Sequence, residues 1–264
     1  MHRVGLIGYG AMASFVAKHL SDSSWKLTHC IARKGREAAA HAAVGDEVSI
    51  FYGADDIDIL PDLIVDCAGH VGLKAHGAAF LRRGVPVVSA SLGALADVKI
   101  YECLKTAAQI GNSQLQMVSG AIGALDALSA ANIGGLKSVV YTGRKPPESW
   151  RGTPAEDVAS LDNLEEAITH FEGSARDAAL RYPKNANVAA AVALAGIGFD
   201  KTQTCLIADP KAQGNTHHIA ACGAFGSFEF SISGVSLPDT PRTSALAAMS
   251  VVDRIFRQSE PMVI

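Results

Sequence analysis

Apolar residues arrive in short blocks divided by polar and glycine-rich turns, and the spacing inside the blocks switches between that of buried strands and that of helices. Arg3 to Ile7 reads as a buried strand. Gly8-Tyr9-Gly10 then leads into a segment whose Met12, Phe15, Val16 and Leu20 recur at helical spacing, which predicts strand, tight turn and helix. Leu27 to Ala32 predicts a second strand at the distance expected of a βαβ unit. The pattern recurs with a strand at Leu63 to Cys67, a helix about Ala75 to Leu81 and a strand at Val85 to Ser89. Parallel neighbours need crossover connections, so the alternation predicts an α/β fold opening with a Rossmann-type, doubly wound parallel sheet.

After Leu115-Gln116-Met117-Val118 the texture changes at Ser119-Gly120-Ala121-Ile122-Gly123. A boundary there predicts the doubly wound domain over residues 1–119 and a second, α+β domain over residues 120–240. Strands are expected at Ser138 to Thr142, Thr204 to Ala208 and His218 to Ile232. Val188 to Gly196 predicts a helix rich in Ala and Val, buried on most sides. Thr240 before Pro241 reads as a cap followed by proline at the first helical position. With Leu246, Met249, Val252 and Phe256 on one face, it predicts a closing helix over residues 241–258 that docks back on the first domain.

Composition narrows the function classes. With 264 residues, 48% hydrophobic and 19% charged, the chain can bury a sizeable core. A formal net charge of −3 and no long run of Lys and Arg give no broad attraction to nucleic acid or anionic lipid, so small molecules are the expected partners. The five cysteines (Cys30, Cys67, Cys103, Cys205, Cys222) are odd in number and form no CxxC, so neither a disulfide framework nor a metal site is expected. Gly8 and Gly10 break the first apolar stretch before a signal-peptide core could form. The longest apolar segment, Val188 to Phe199, is too short for a bilayer about 30 Å thick at about 1.5 Å per residue. No membrane association and a reducing, cytoplasmic location are the expectation.

Gly8-Tyr9-Gly10-Ala11-Met12-Ala13 is a GxGxxA form of the dinucleotide fingerprint. Gly8 permits the tight turn, Gly10 lets backbone approach a pyrophosphate, and Ala13 allows close helix packing; Ala11 and Met12 open the helix whose amides would face the phosphates. At the end of the second strand an NAD-selective protein presents an acidic residue, and here Ala32-Arg33-Lys34-Gly35-Arg36 stands instead. Arg33 or Lys34 could hold a 2′-phosphate, so NADP is expected to be accepted alongside NAD; the alternative is a solvated basic loop. Asp66-Cys67-Ala68-Gly69-His70 ends another strand at the ligand-binding edge. Cys67, Ala68, Gly69 and His70 are therefore cofactor-cleft candidates, Cys67 as a small buried residue rather than a nucleophile. In the second domain His217 and His218 are neighbours on a strand and face opposite ways, so at most one reaches a common cleft; spacing does not choose between them. Lys145, Lys184, Asn185, Asn187, Arg144 and Arg242 supply the cations and amides that a dicarboxylate would need, or else surface charge and helix caps.

The ordered blocks GYGAMA, DCAGH, SGAIGALDALSAA, YTGRKPP, KNANVAAAVALAGIGFD, LIADP, NTHHIAACGAFGSFEF and PRTSALAAMSVV span nearly the whole chain, and together they resemble the L-aspartate dehydrogenases. The resemblance implies a Rossmann domain followed by an α+β catalytic domain and a homodimer or higher homo-oligomer. It also implies an NAD- and/or NADP-dependent conversion of L-aspartate to iminoaspartate, or to oxaloacetate plus ammonia, and the reverse reductive amination, linked to NAD biosynthesis. It implies the catalytic role for His217, in Asn-Thr-His, and cofactor contacts for Ala121 and Asn187. An imidazole with an unperturbed pKa of about 6.5 suits acceptance of the ammonium proton or activation of water. Lys145, Lys184, His218, Arg242, Thr243 and Ser244 are the unranked candidates for the substrate carboxylates. Two positions depart from the family's usual pattern: His218, and Asp239 in Asp239-Thr240-Pro241. The competing readings are a homoserine dehydrogenase-like or dihydrodipicolinate reductase-like enzyme and a non-catalytic NAD(P) sensor.

Overall fold

The computed structural model describes residues 1–238 and 240–262; Asp239 and the side chains of Pro241 and Arg242 lie outside the described residues. The chain divides into two compact units, Met1–Val118 with Ala247–Ile264, and Ser119–Leu246.

In the first unit six parallel strands lie in the order β3-β2-β1-β4-β5-β6, with β1 His2–Ile7, β2 Trp25–Ile31, β3 Ser49–Phe51, β4 Leu63–Asp66, β5 Val87–Ser89 and β6 Leu115–Met117. The chain crosses from strand to strand through α1 (Ala11–Leu20), α2 (Glu37–Val44), α3 (Gly69–Gly72), a π-helical turn at Leu73–Gly77, α4 (Ala78–Arg82) and α5 (Val98–Ile110). The helix expected about Ala75 to Leu81 thus begins six residues earlier, at Gly69, directly at the carboxyl edge of β4. Central strands are covered on both faces, which is why they read as continuous apolar runs rather than as alternation. Val4, Leu6, Val65 and Val88 form the core with Ala13, Val16 and Leu20 of α1.

The same core contains Val251, Val252 and Ile255 of α9 (Ala245–Arg257), the last helix of the chain. Its start corrects the expectation of a helix from Pro241. Thr240–Ser244 is instead strand β13, paired antiparallel with β12 (Ser236–Leu237), and pairing to a neighbour outweighs the local cap signal of Thr-Pro.

The second unit holds a mixed five-stranded sheet in the order β11-β10-β7-β9-β8, with β7 Leu136–Lys145, β8 Ile168–Ser174, β9 Gln203–Ala208, β10 Asn215–Gly223 and β11 Gly226–Gly234. The stretch expected as one strand to Ile232 is a hairpin that turns at Ala224-Phe225, where Gly226 takes φ +114. Packed with the sheet are α6 (Leu125–Ile133), α7 (Ala175–Arg181) and α8 (Asn187–Ala195). Residues Val188 to Ala193 of α8 are all buried, as small side chains allow when a helix is covered all round. Among the described residues no helix is long and apolar enough to cross a membrane.

Candidate active site

In the first unit β1 delivers Gly8 at its carboxyl end with φ +92, and a Cβ there would stand 2.8 Å from Ala68 Cβ. Left-handed backbone and crowding both demand glycine at this turn. A Cβ on Gly10 would meet nothing within 4 Å, so its flank is open. Gly10 caps α1 with backbone alone, and no acidic residue occupies the first turn. The first amides of α1 are therefore donors without a side-chain acceptor, the arrangement that suits a phosphate. These residues border a cavity of about 810 Å³, which Arg33, Lys34, Tyr52, Cys67 and Ala68 also line. Its size suits a cofactor-sized ligand. Ala11 and Met12 begin α1, with Met12 packed on the core, while Gly69 and His70 begin α3.

Asp66, fully buried at the end of β4, accepts hydrogen bonds from Ser89 Oγ (2.9 Å), Ser91 Oγ and the Ala68 amide (3.1 Å). Burial raises its pKa against those stabilising donors. Its effect is to pin the Cys67–Ala68 corner to β5. Burial, with smaller contributions from Asp66 and Cys30, pushes the Cys67 thiol well above its usual range, so no thiolate nucleophile is available. Also lining the cavity are Lys34 and Tyr52, with the Lys34 ammonium 5.4 Å from the centre of the Tyr52 ring. Tyr52 donates to Glu37 Oε1 at 2.7 Å, and the Gly35 amide donates to the same oxygen at 3.0 Å. The acidic residue of this loop is thus Glu37, held by its own neighbours, whereas Arg33 and Lys34 line the cavity and form no ion pair among the described residues.

The second unit gathers an apolar-walled polar group on one face of its sheet. Period-two alternation turns Val139, Tyr141, Gly143 and Lys145 of β7 and His217, Ile219 and Ala221 of β10 inward. His217 sits opposite Gly143 in register and is 2% exposed. Tyr141 lies diagonally across from it, and its Oη is 2.8 Å from His217 Nδ1. Lys145 ends β7. A turn at Pro147–Trp150 then brings the fully buried indole of Trp150 back to 5.1 Å from the Lys145 ammonium. The ammonium donates to the Asn185 carbonyl at 3.4 Å, and the described residues bring no carboxylate into ion-pair range of it. Burial lowers its pKa to about 8.

Burial, and secondarily the charge of Lys145, pulls the His217 pKa down to about 3. Its pKa therefore departs from the unperturbed value of about 6.5, and burial favours the neutral imidazole. His170 of β8, edge-on to Trp150 at 4.3 Å, is lowered to about 4 by burial and then by Lys145.

His218 turns to the other face and pairs with Glu229 at 3.3 Å, so it is not brought to the Lys145–His217 group. Asn187 opens α8, two residues beyond the Asn185 carbonyl that Lys145 meets, and Lys184 is exposed just before it. Ala121 lies in the loop before α6, and Thr243 and Ser244 end β13. Sequence reasoning missed Tyr141, Trp150, His170 and Tyr52. For Tyr141 a signal existed: it shares the inward parity of Lys145 along β7, with a glycine between them.

Comparison with known proteins now adds a family. Residues 126–258 match the family "Aspartate dehydrogenase, C-terminal", and residues 8–117 match "Homoserine dehydrogenase, NAD binding domain". L-aspartate dehydrogenase of Ruegeria pomeroyi is 54% identical over 95% of this chain and 90% of that protein; the Polaromonas sp. protein of the same name is 47% identical over the whole of both. Among solved structures, aspartate dehydrogenase of Thermotoga maritima has the same fold, with a TM-score of 0.79 at 24% identity over 100% of this chain and 99% of that one. A nucleotide cradle on one unit, a buried lysine and imidazole on the other and full-length similarity at about half identity agree: the chain belongs to the aspartate dehydrogenase family.

Proposed function

We propose that the protein is an NAD(P)-dependent L-aspartate dehydrogenase that interconverts L-aspartate with iminoaspartate, which hydrolyses to oxaloacetate and ammonia. The observation that carries this reading is the unpaired ammonium of Lys145 beside His217: a buried cation without a carboxylate is costly unless a ligand supplies one. It supports Lys145 as a receptor for one substrate carboxylate. Lys184, Arg242, Thr243 and Ser244 are left as candidates for the other.

The fingerprint turn fits the cofactor, since Gly8 and Gly10 leave an open flank before the free amides of α1. Gly8, Gly10, Ala11, Met12, Ala68 and the Asp66-pinned corner would hold its phosphates and ribose. Arg33 would contact a 2′-phosphate, so that both NAD and NADP are used. When bound, the nicotinamide supplies the hydride acceptor. The chain's own contribution is orientation: Lys145 holds the substrate, and His217, Ala121 and Asn187 complete its surroundings. The substrate amine must be neutral before the transfer. A homo-oligomeric, cytoplasmic enzyme serving pyridine nucleotide synthesis is the accompanying expectation.

A panel of aspartate, glutamate, alanine and homoserine with each cofactor tests the assignment. Absorbance of reduced cofactor with aspartate alone is the expected result. A signal with homoserine and none with aspartate would replace the reading by its nearest competitor, and cofactor binding with no turnover by the sensor reading. His217→Asn should lower turnover by roughly tenfold to 100-fold, the scale of a hydrogen bond to a charged group.

A further inference from the structure

The contact between Tyr141 and His217 says more than proximity. Tyr141 faces Ile219 in register, not His217, and to reach the imidazole its ring must lie along β7 over the next inward position. That position is Gly143. A Cβ there would stand 2.7 Å from Tyr141 Oη and 3.2 Å from Cζ, so any other residue would occupy the path of the phenol. Glycine at 143 and tyrosine at 141 thus form one device, whose product is the 2.8 Å contact to Nδ1 with the two rings nearly parallel at 19°.

The direction of the hydrogen bond follows from what else the two groups touch. Tyr141 is fully buried, and His217 Nδ1 is the one hydrogen-bond partner of its hydroxyl among the described residues. Were Nδ1 to carry the hydrogen, the phenol would accept it and its own O–H would be left buried without an acceptor. With the phenol as donor, its hydrogen meets the Nδ1 lone pair and the imidazole hydrogen sits on Nε2, which has no partner among the described residues but, unlike the phenol, is not sealed from solvent or ligand. Burial also raises the phenol's pKa, which keeps the O–H intact. We propose that Tyr141 is a positioning residue that donates to His217 Nδ1, fixes the Nε2–H tautomer and makes His217 a hydrogen-bond donor to an anionic oxygen of the substrate. Lys145 and His217 then offer donors of the same sense, a pair suited to a carboxylate and unsuited to removing a proton from an ammonium group. The inference rests on the reading of His217 as the imidazole that meets the substrate, but its structural half is separately measurable.

The test is the imidazole ¹⁵N spectrum of the full-length protein labelled at histidine, with His217 assigned by its loss in His217→Asn. The expected wild-type pattern at neutral pH is a protonated Nε2 and an unprotonated, hydrogen-bonded Nδ1. Tyr141→Phe, which keeps the ring, should shift the Nδ1 resonance and populate the second tautomer. It should lower kcat about tenfold, the scale of one hydrogen bond, with the KM for the nicotinamide cofactor unchanged. Gly143→Ala should give the same spectral change by displacing the phenol. A wild-type Nδ1–H tautomer overturns the proposal without recourse to any variant, as does a Tyr141→Phe spectrum identical to wild type. Full activity of His217→Asn would instead remove the functional reading and leave the tautomer measurement standing.

Discussion

The Lys145 ammonium stands 5.1 Å from the centre of the Trp150 ring and reaches one backbone carbonyl, that of Asn185, at 3.4 Å. An aromatic face and a carbonyl compensate only part of the hydration lost on burial, which is why its pKa falls to about 8. Above that pH the unliganded site loses its charge. Succinate, which carries two carboxylates and no amine, isolates this titration from that of the substrate. Its inhibition constant should be flat below pH 8 and rise by up to about tenfold per pH unit above it. Lys145→Met should weaken succinate by roughly tenfold to 100-fold and abolish the pH dependence. An unchanged profile in the variant would remove Lys145 from the carboxylate site.

Gly10 separates cofactor binding from folding. Because a Cβ there meets no protein atom within 4 Å, Gly10→Ala should leave the melting temperature within about 2 °C of wild type while weakening nicotinamide dinucleotide binding by about tenfold or more. Gly8→Ala differs, since φ +92 and the 2.8 Å approach to Ala68 should cost stability of about 1–3 kcal/mol as well. Thermal melts and cofactor fluorescence titrations distinguish the two.

Arg33 is the residue on which use of NADP is expected to turn. Arg33→Ala should raise the KM for NADP by roughly tenfold or more and leave that for NAD within about twofold. Equal changes for both cofactors would return this segment to a solvated loop.

His217 also couples the fold to pH. Its folded pKa of about 3 lies below the unfolded value of about 6.5, so between those limits the unfolded chain binds the extra proton. Stability is full above pH 6.5 and is lost as pH falls toward 3, with a slope from this residue of at most about 1.4 kcal/mol per pH unit. Urea unfolding of the ligand-free protein from pH 4 to 7 should show that slope reduced in His217→Asn.

Strands β1, β2, β4 and β5 were legible because they are covered on both faces and read as apolar blocks, whereas β3 and β6, three residues each and less buried, were not read as strands. β8 was not, since Ile168-Thr169-His170-Phe171 has two consecutive inward residues at a bulge, which spoils the alternation. Nor was the start of α9, where Thr-Pro imitates a helix cap but belongs to a strand. The phosphate-facing turn could be read from glycine spacing, because backbone conformation is the feature that glycine reports. The Tyr141–Gly143–His217 arrangement could not, because it depends on which residues two distant strands bring opposite one another. A sequence states the parity of a strand, not its register with a partner 76 residues away.

The presence of Val251, Val252 and Ile255 in the core of the first unit has a biosynthetic consequence. The parallel sheet is synthesised before the α9 helix and lacks part of its apolar cover until that helix is made, so its maturation must wait for translation of the second unit between them. A fragment ending at Val118 should accordingly be aggregation-prone, and it should become soluble when the α9 segment is supplied on the same chain through a linker.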